Sequence, residues 1–205
     1  HHADDQIETL LFRIFRGTGI NGLIGIKEYS TNKNLNILRP FIHTRKEVLL
    51  RYAKESKLDW IEDDSNNQNY YSRNIIRNLL VPKIIQRWPE LDKSLLQLSS
   101  RAKITQEILE DIAKEDLKKI NISDNSIDRN ELHALKKERQ ENLLYFWLTD
   151  MKGLKISSKQ LNEITSCILN STQGSAMFEL ISKEGILKTR LFISSNEINL
   201  IDIDS

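Results

Sequence analysis

Apolar side chains recur at helical spacing along most of the chain and alternate with polar ones only near its end. The first helical pattern follows His2, and we expect a helix that begins there and ends near Gly17. Its apolar side chains share one face, formed by Ile7, Leu10, Leu11 and Ile14. The opposite face carries Asp5, Glu8, Thr9 and Arg16. The helix is therefore predicted to bury one stripe and to present carboxylates, a hydroxyl and a guanidinium on the other.

Between this helix and Pro89 the pattern is less regular and predicts short elements. These are a glycine-rich segment at 17–25, a strand at 35–42, a helix after a capping box at 44–47, a strand at 58–61, a polar loop at 63–71 and a helix capped by Ser72. Pro82 either interrupts that last helix or starts the next one.

Beyond Pro89 the chain changes in character. We expect helices at 91–119, 128–151 and 158–169, a linker at 121–126, and antiparallel strands at 176–181, 186–194 and 197–203. The predicted fold is an α/β N-terminal part followed by a mostly helical domain that ends in a small antiparallel β meander. The predicted parts are residues 1–88, 89–126 and 127–205. We interpret the three tryptophans as core residues: Trp60, Trp88 and Trp147.

Composition and cysteine content narrow the class of protein. The chain has 205 residues, of which 39% are hydrophobic and 29% charged, a balance that excludes fibrous, collagen-like and disordered classes. Because no apolar run approaches the roughly 18 residues of a membrane span, no membrane partner is expected. The single cysteine, Cys167, excludes a four-cysteine zinc site and a CxxC redox pair, and it favours the reducing cytoplasm.

Basic residues are concentrated in one part of the first half. Residues 1–90 hold 14 Lys+Arg against 11 Asp+Glu, whereas the remainder holds 16 against 18. Between Ser65 and Arg87 there is no acid. Within that stretch Arg73 and Arg77 stand four residues apart, so they share one helix face, and guanidinium groups fit phosphate oxygens. This pattern indicates either a nucleic-acid contact or a solvated basic face.

Two further motifs lie at the ends of the first helix. Asp4, Asp5 and Glu8 complement the helix dipole, but they exceed what that requires and could hold a cation, either a metal or a substrate amine. The glycines at 17–22 fit G-x-G-x-x-G, yet they follow a helix instead of a strand. We interpret them as a helix exit whose backbone a ligand can approach closely.

The ordered motifs over residues 1–82 together resemble a known family. His1 to Thr9 reads HHADDQIET, which is similar to the HHADDQxET segment of the PP-loop ATP pyrophosphatases. The glycine-rich continuation at 13–26, with the motifs at 39–40, 63–66 and 71–77, resembles the tRNA(Ile)-lysidine synthetase family among them. The resemblance implies that residues 1–88 are the C-terminal part of a parallel-sheet PP-loop catalytic domain. It implies that residues 127–205 are a central, tRNA-contacting domain.

The resemblance also implies an activity and its substrates. Members of this family join L-lysine to C2 of the wobble cytidine of the CAU-anticodon tRNA(Ile). The reaction uses ATP and Mg²⁺ and passes through an adenylated cytidine. A second copy of the chain is a further candidate partner.

Roles for particular residues follow from the same resemblance. Asp5 and Glu8 would take the lysine amine, and Arg73 would steady phosphate or the adenylated cytidine. The residues expected around ATP are His2, Asp4, Arg16, Gly17 and Gly19, with Asp4 nearest the Mg²⁺. The expected tRNA contacts are Arg13, Arg45, Arg73 and Arg77.

One element of the family pattern does not occur between His1 and Ser205. The SGGxDS phosphate loop precedes HHADDQ in the family, so we expect it upstream of His1 and expect these 205 residues alone not to cleave ATP to AMP. Two alternatives stay open. A tRNA-thiolating PP-loop enzyme is disfavoured by the lone Cys167, and a non-catalytic helical tRNA-binding or dimerising module does not explain the acidic residues.

Overall fold

The structure is a computed structural model that describes residues 1–32, 35–61, 72–170, 175–183, 185 and 188–203. The chain divides into two compact units, residues 1–106 and 107–205. The predicted three-part division at 1–88, 89–126 and 127–205 stays a prediction.

The first unit is a set of helices with one small hairpin. Its elements are α1 (Ala3–Phe15), α2 (Ile20–Leu23), β1 (Tyr29–Asn32), β2 (Leu35–Leu38), α3 (Lys46–Glu55), α4 (Ser72–Ile75), a π-helical turn (Ile76–Leu80), α5 (Val81–Arg87) and the first half of α6 (Leu91–Ile120). Strands β1 and β2 are antiparallel, with Tyr29 opposite Leu38. Pro82 lies in the first turn of α5, directly after the π-helical turn.

The core of the first unit forms around the apolar face of α1. Ile7, Leu10 and Leu11 are buried against Ile76 of the π-helical turn and Leu95 of α6. The predicted buried stripe is confirmed for these three residues, whereas Ile14 is exposed. This packing matters for the site because it fixes the helix that carries the acids against the helix that carries the arginines.

The second unit is a six-stranded antiparallel sheet with helices. Its elements are the second half of α6, β3 (Asn121–Ser123), β4 (Ser126–Asp128), α7 (Arg129–Ala134), α8 (Lys137–Tyr145), a π-helical turn (Phe146–Met151), β5 (Leu154–Lys155), α9 (Ser158–Asn170), β6 (Ala176–Ser182), β7 (Lys188–Ile193) and β8 (Glu197–Ile203). The strand order is β3-β4-β8-β7-β6-β5. The predicted meander of β6, β7 and β8 is confirmed.

The core of the second unit lies between the sheet and the helices. Trp147, Leu143 and Leu144 are fully buried, together with Leu191 and Ile198 from the sheet. One charged side chain is equally buried: Asp116 of α6 has no exposed surface and accepts two hydrogen bonds from Arg139, at 2.8 and 2.5 Å. The pairing satisfies a carboxylate that would otherwise be costly to bury.

Several predicted elements differ from the structure. The 121–126 linker is a short hairpin of β3 and β4, and the helix expected at 128–151 is broken between α7 and α8. Residues 58–61 form no strand, and the strand expected at 35–42 ends at Leu38. Trp60 and Trp88 are exposed, so the interpretation of all three tryptophans as core was right only for Trp147. The loop expected at 63–71 lies outside the described residues.

The described residues hold neither a parallel strand pair nor a helix suited to a membrane span. Every described strand pairing is antiparallel, so the parallel sheet implied by the family resemblance is not seen in these residues. Within the same described ranges, none of the helices combines the length and apolar character that crossing a bilayer demands.

Leu144→Ala is expected to lower the free energy of unfolding of the second unit by about 2–5 kcal/mol, because it leaves a cavity in a fully buried core. Ile201→Ala, at an exposed sheet position, is the matched control and should cost less than about 1 kcal/mol. Urea unfolding of the 205-residue chain measures both. Equal losses for the two variants would contradict the assigned core.

Candidate active site

The N-terminus of α1 is closed by a reciprocal capping box. The backbone N–H of Asp5 donates to His2 Nδ1 at 3.3 Å, and the His2 backbone N–H donates to Asp5 Oδ2 at 2.9 Å. Asp5 therefore holds the helix start with one carboxylate oxygen and keeps the other for a partner outside the helix. His2 caps the helix through its ring, a role that the sequence did not reveal.

Glu8 and Asp5 share one arginine. Arg77 Nε donates to Glu8 Oε1 at 2.6 Å, and Arg77 Nη2 donates to Glu8 Oε2 at 2.8 Å and to Asp5 Oδ1 at 3.2 Å. The Glu8 side chain is only 5% exposed and that of Asp5 14%. A two-pronged guanidinium contact of this kind fixes both the position and the plane of the carboxylate.

The pKa of Arg77 is raised above its usual value, first by the hydrogen bond from its guanidinium to Glu8, with burial acting in the opposite direction. A raised pKa means that this arginine's contribution to folding is present at all lower pH values and is lost only in strong alkali. Arg77 is thus a permanent cation beside the two acids.

A second arginine lies at the edge of the same cluster. Arg73 Nη2 donates to Thr9 Oγ1 at 3.2 Å, and Arg73 Nε lies 3.5 Å from Glu8 Oε2. Its side chain is 46% exposed, against 28% for Arg77. The structure thus brings together the three residues predicted for catalysis, Asp5, Glu8 and Arg73. It also pairs Arg77, which was predicted as a tRNA contact, with the two acids.

Asp4 faces a different neighbour. Asp4 Oδ2 accepts the backbone N–H of Lys46 at 2.7 Å, and Asp4 Oδ1 lies 2.9 Å from Arg45 Nη2. Arg45 also pairs with Asp92 at the start of α6. The Asp4 side chain of α1 therefore caps the first turn of α3. The capping box predicted to start at Thr44 is wrong, because the N-cap residue of α3 is Arg45, whose side chain makes no capping hydrogen bond.

Two side chains of α1 hold the glycine-rich segment that follows it. Arg13 Nη1 donates to the carbonyls of Gly22 and Gly25, at 2.9 and 3.0 Å. Gln6 Nε2 donates to the Ile26 carbonyl at 3.0 Å, and Gln6 Oε1 accepts the Ile26 N–H. Gly25 has φ +74°, and a Cβ there would collide with the Gln6 amide. Sequence reasoning missed Gln6, although helical spacing places it among Ala3, Ile7 and Leu10 on the buried face.

Other residues predicted for ATP are exposed at the C-terminal end of α1. Arg16 is exposed and stacks over the Phe12 ring at 5.1 Å, and Gly17 and Gly19 have open space where a side chain would be. Gly17 has φ +74° and ends the helix as predicted. His2, Asp4, Asp5 and Glu8 lie at or near the opposite, N-terminal end of α1. The predicted ATP residues are therefore distributed along the helix.

The side chains at the site suit a nucleotide phosphate better than a metal ion. Arg16 and Arg73 expose guanidinium groups, which fit phosphate oxygens. Asp4 could give one carboxylate ligand to Mg²⁺, but both of its oxygens are engaged. Among the described residues there is no group of three His, Cys, Asp or Glu side chains that could hold a metal. The described part of the chain therefore fits phosphate groups but does not by itself form a Mg²⁺ site.

Comparison with known proteins gives two consistent findings. Residues 1–84 match the PP-loop domain. The tRNA(Ile)-lysidine synthase of Haemophilus ducreyi is 34% identical over 172 residues, which is 83% of this chain and 40% of that protein. That of Histophilus somni is 35% identical over 165 residues (80% and 39%), and that of Francisella philomiragia 32% over 180 residues (88% and 45%). The chain spans less than half the length of these relatives.

The first part of the chain is therefore a PP-loop domain segment. More narrowly, the chain is a homologue of the tRNA(Ile)-lysidine synthases over most of its length, and the resemblance seen in its sequence motifs is confirmed.

Arg77→Ala is expected to lower the free energy of unfolding of the 205-residue chain by about 1–3 kcal/mol, because it leaves the nearly buried Glu8 without its main partner. The loss stays below that of a fully buried pair because Arg77 is partly exposed. Arg73→Ala, the matched control on the same helical stretch, should cost less than about 1 kcal/mol. Chemical denaturation compares them, and an equal or larger loss for Arg73→Ala would contradict the assignment.

Proposed function

We propose that this chain forms part of a tRNA(Ile)-lysidine synthase that joins L-lysine to C2 of the wobble cytidine of the CAU-anticodon tRNA(Ile). The carboxylate pair of Asp5 and Glu8, held on α1 beside two arginines, is the observation that carries the proposal. The homology of the chain to proteins of that name supports the same conclusion.

The acids suit a substrate that brings a primary amine. An ammonium group offers three donors and needs acceptors with negative charge, which Asp5 and Glu8 supply from one helix face. Their orientation is fixed before any ligand binds, because His2 holds one oxygen of Asp5 and Arg77 holds both oxygens of Glu8. A fixed pair of carboxylates can bind the lysine amine without the entropic cost of ordering their side chains.

The chemistry that follows is a group transfer in two steps. Bound ATP supplies the adenylyl group. In the first step the cytidine C2 carbonyl oxygen displaces pyrophosphate from the α-phosphorus. In the second step the lysine ammonium gives one proton to one of the two carboxylates, and the free ε-amine attacks C2. The bond between C2 and that oxygen breaks as AMP leaves, and the second amine proton passes to solvent. Asp5 and Glu8 hold the amine, and an exposed guanidinium such as that of Arg73 compensates negative charge on phosphate.

The remaining predictions follow from the same proposal. Residues 1–88 would complete a parallel-sheet PP-loop domain, with Mg²⁺ held mainly by groups other than the described residues. His2, Asp4, Arg16, Gly17 and Gly19 would face the nucleotide. The tRNA contacts are proposed at Arg13, Arg45, Arg73 and Arg77. The Arg73 side chain is more exposed than those of Arg45 and Arg77. The reaction would take place in the cytoplasm, and a homodimer stays a prediction.

The test uses the full-length gene product that contains residues 1–205. Asp5→Asn and Glu8→Gln should each reduce lysine transfer to tRNA by about 100-fold or more, since misplacing a reactant by about 1 Å can already cost about 100-fold. Both variants should keep nearly normal tRNA affinity, since neither acid would contact a polyanion. Radiolabelled lysine incorporation and filter binding measure the two quantities.

Glu47→Gln is the matched control, because Glu47 is an exposed acid in the first turn of α3. It should transfer lysine at the normal rate. Normal transfer by both Asp5→Asn and Glu8→Gln, or a loss of tRNA affinity that accounts for their whole defect, would overturn the proposed role of the acids.

A further inference from the structure

Asp5 and Glu8 are already paired with guanidinium groups before a lysine arrives. Among the described residues, these two carboxylates lie against Arg73 and Arg77, while Asp4 shares Arg45 with Asp92. Adding an ammonium group between Asp5 and Glu8 would place a third cation beside these two acids. Like charges at close range repel, so an ammonium binds well only if one arginine moves away or finds another anion.

The three arginines are not held equally. Arg77 makes three hydrogen bonds to Glu8 and Asp5, at 2.6, 2.8 and 3.2 Å. Arg45 pairs with both Asp4 and Asp92, from α1 and α6. Arg73 makes a neutral hydrogen bond to Thr9 and a 3.5 Å ion pair with Glu8, which is the longest of these contacts.

The three arginines also differ in solvent exposure, and Arg73 is the most exposed of them. Nearly half of the Arg73 side chain is in contact with solvent, so its guanidinium can leave Glu8 without being buried elsewhere. Glu8 does not lose its orientation when this happens, because Oε1 and Oε2 both remain bonded to Arg77. Arg73 is therefore the cation that can leave at the lowest cost, and its departure leaves Glu8 with less positive charge around it.

We propose that Arg73 exchanges between Glu8 and a phosphate group, so that a nucleoside polyphosphate and lysine favour each other's binding. When Arg73 turns to phosphate, the cluster loses one positive charge and accepts the lysine ammonium in its place. By linkage, lysine must then strengthen nucleotide binding by the same factor. This inference rests on the proposed function, and it assigns Arg73 a role in coupling the two substrates instead of one in holding the acids.

The exchange predicts an unusual result for removal of Arg73. Without nucleotide, Arg73→Ala should bind lysine more tightly than the natural protein, because a competing cation is gone. With nucleotide, the variant should show no further gain. A residue that merely supports the structure of the site would instead weaken lysine binding in both conditions.

Isothermal titration of L-lysine into the full-length gene product tests this, with and without saturating α,β-methylene-ATP and MgCl₂. In the natural protein the analogue should tighten lysine binding at least about fivefold, the lower end of measured couplings between sites. In Arg73→Ala the effect of the analogue should fall below about twofold. Arg73→Lys keeps the charge and should retain part of the coupling.

Arg51→Ala is the control, since Arg51 is an exposed arginine of α3 outside the cluster, and it should couple like the natural protein. Weaker lysine binding by Arg73→Ala without nucleotide, or unchanged coupling in that variant, would overturn the exchange. Failure of the proposed function looks different, because Asp5→Asn and Glu8→Gln would then bind lysine as tightly as the natural protein in either condition.

Discussion

The contact between Glu8 and Arg77 is the interaction on which the arrangement of the site depends. It links α1 to the π-helical turn at Ile76–Leu80, and the apolar contacts of Ile7, Leu10 and Leu11 with Ile76 lie on the same pair of elements. A carboxylate that is nearly excluded from water needs such a partner, because its desolvation would otherwise oppose folding. The apolar packing and the ion pair therefore support each other, and the position of the acids is a property of the fold.

The neighbouring contacts extend this principle along α1. Asp4 caps α3, Arg13 and Gln6 fix the glycine-rich segment, and His2 closes the helix start. These polar side chains of the helix thus connect it to several other segments of the first unit. The helix therefore makes contacts with α3, the glycine-rich segment and the π-helical turn of the first unit.

The sequence predicted α1, α6, α9 and the β6–β7–β8 meander, because each has a clear period and terminal residues that fit it. It did not predict the β3–β4 hairpin, since two three-residue strands at 121–128 are too short to show alternation. Trp60 and Trp88 were misplaced because aromatic character alone does not say which surface a side chain meets.

The candidate site was predicted in the same uneven way. The acids and Arg73 were found from a local motif, and helical spacing placed Asp5 and Glu8 on one face. The pairing of Arg77 with Glu8 was not predicted, because these residues are 69 positions apart and their contact depends on how two helices pack. Spacing within Arg73–Arg77 showed only that the two arginines share a direction, and the same pattern fits a phosphate contact or an internal counter-ion.

Gln6 has a consequence of its own for how this chain can vary. Its amide donates to the Ile26 carbonyl and accepts the Ile26 N–H. One side chain thus makes the two hydrogen bonds that a backbone residue of a paired β-strand would make. A glutamate of the same shape could accept but not donate, and its charge would face a carbonyl oxygen. This pair of hydrogen bonds requires an amide side chain at position 6. It also requires glycine at position 25, because a Cβ there would collide with the Gln6 amide.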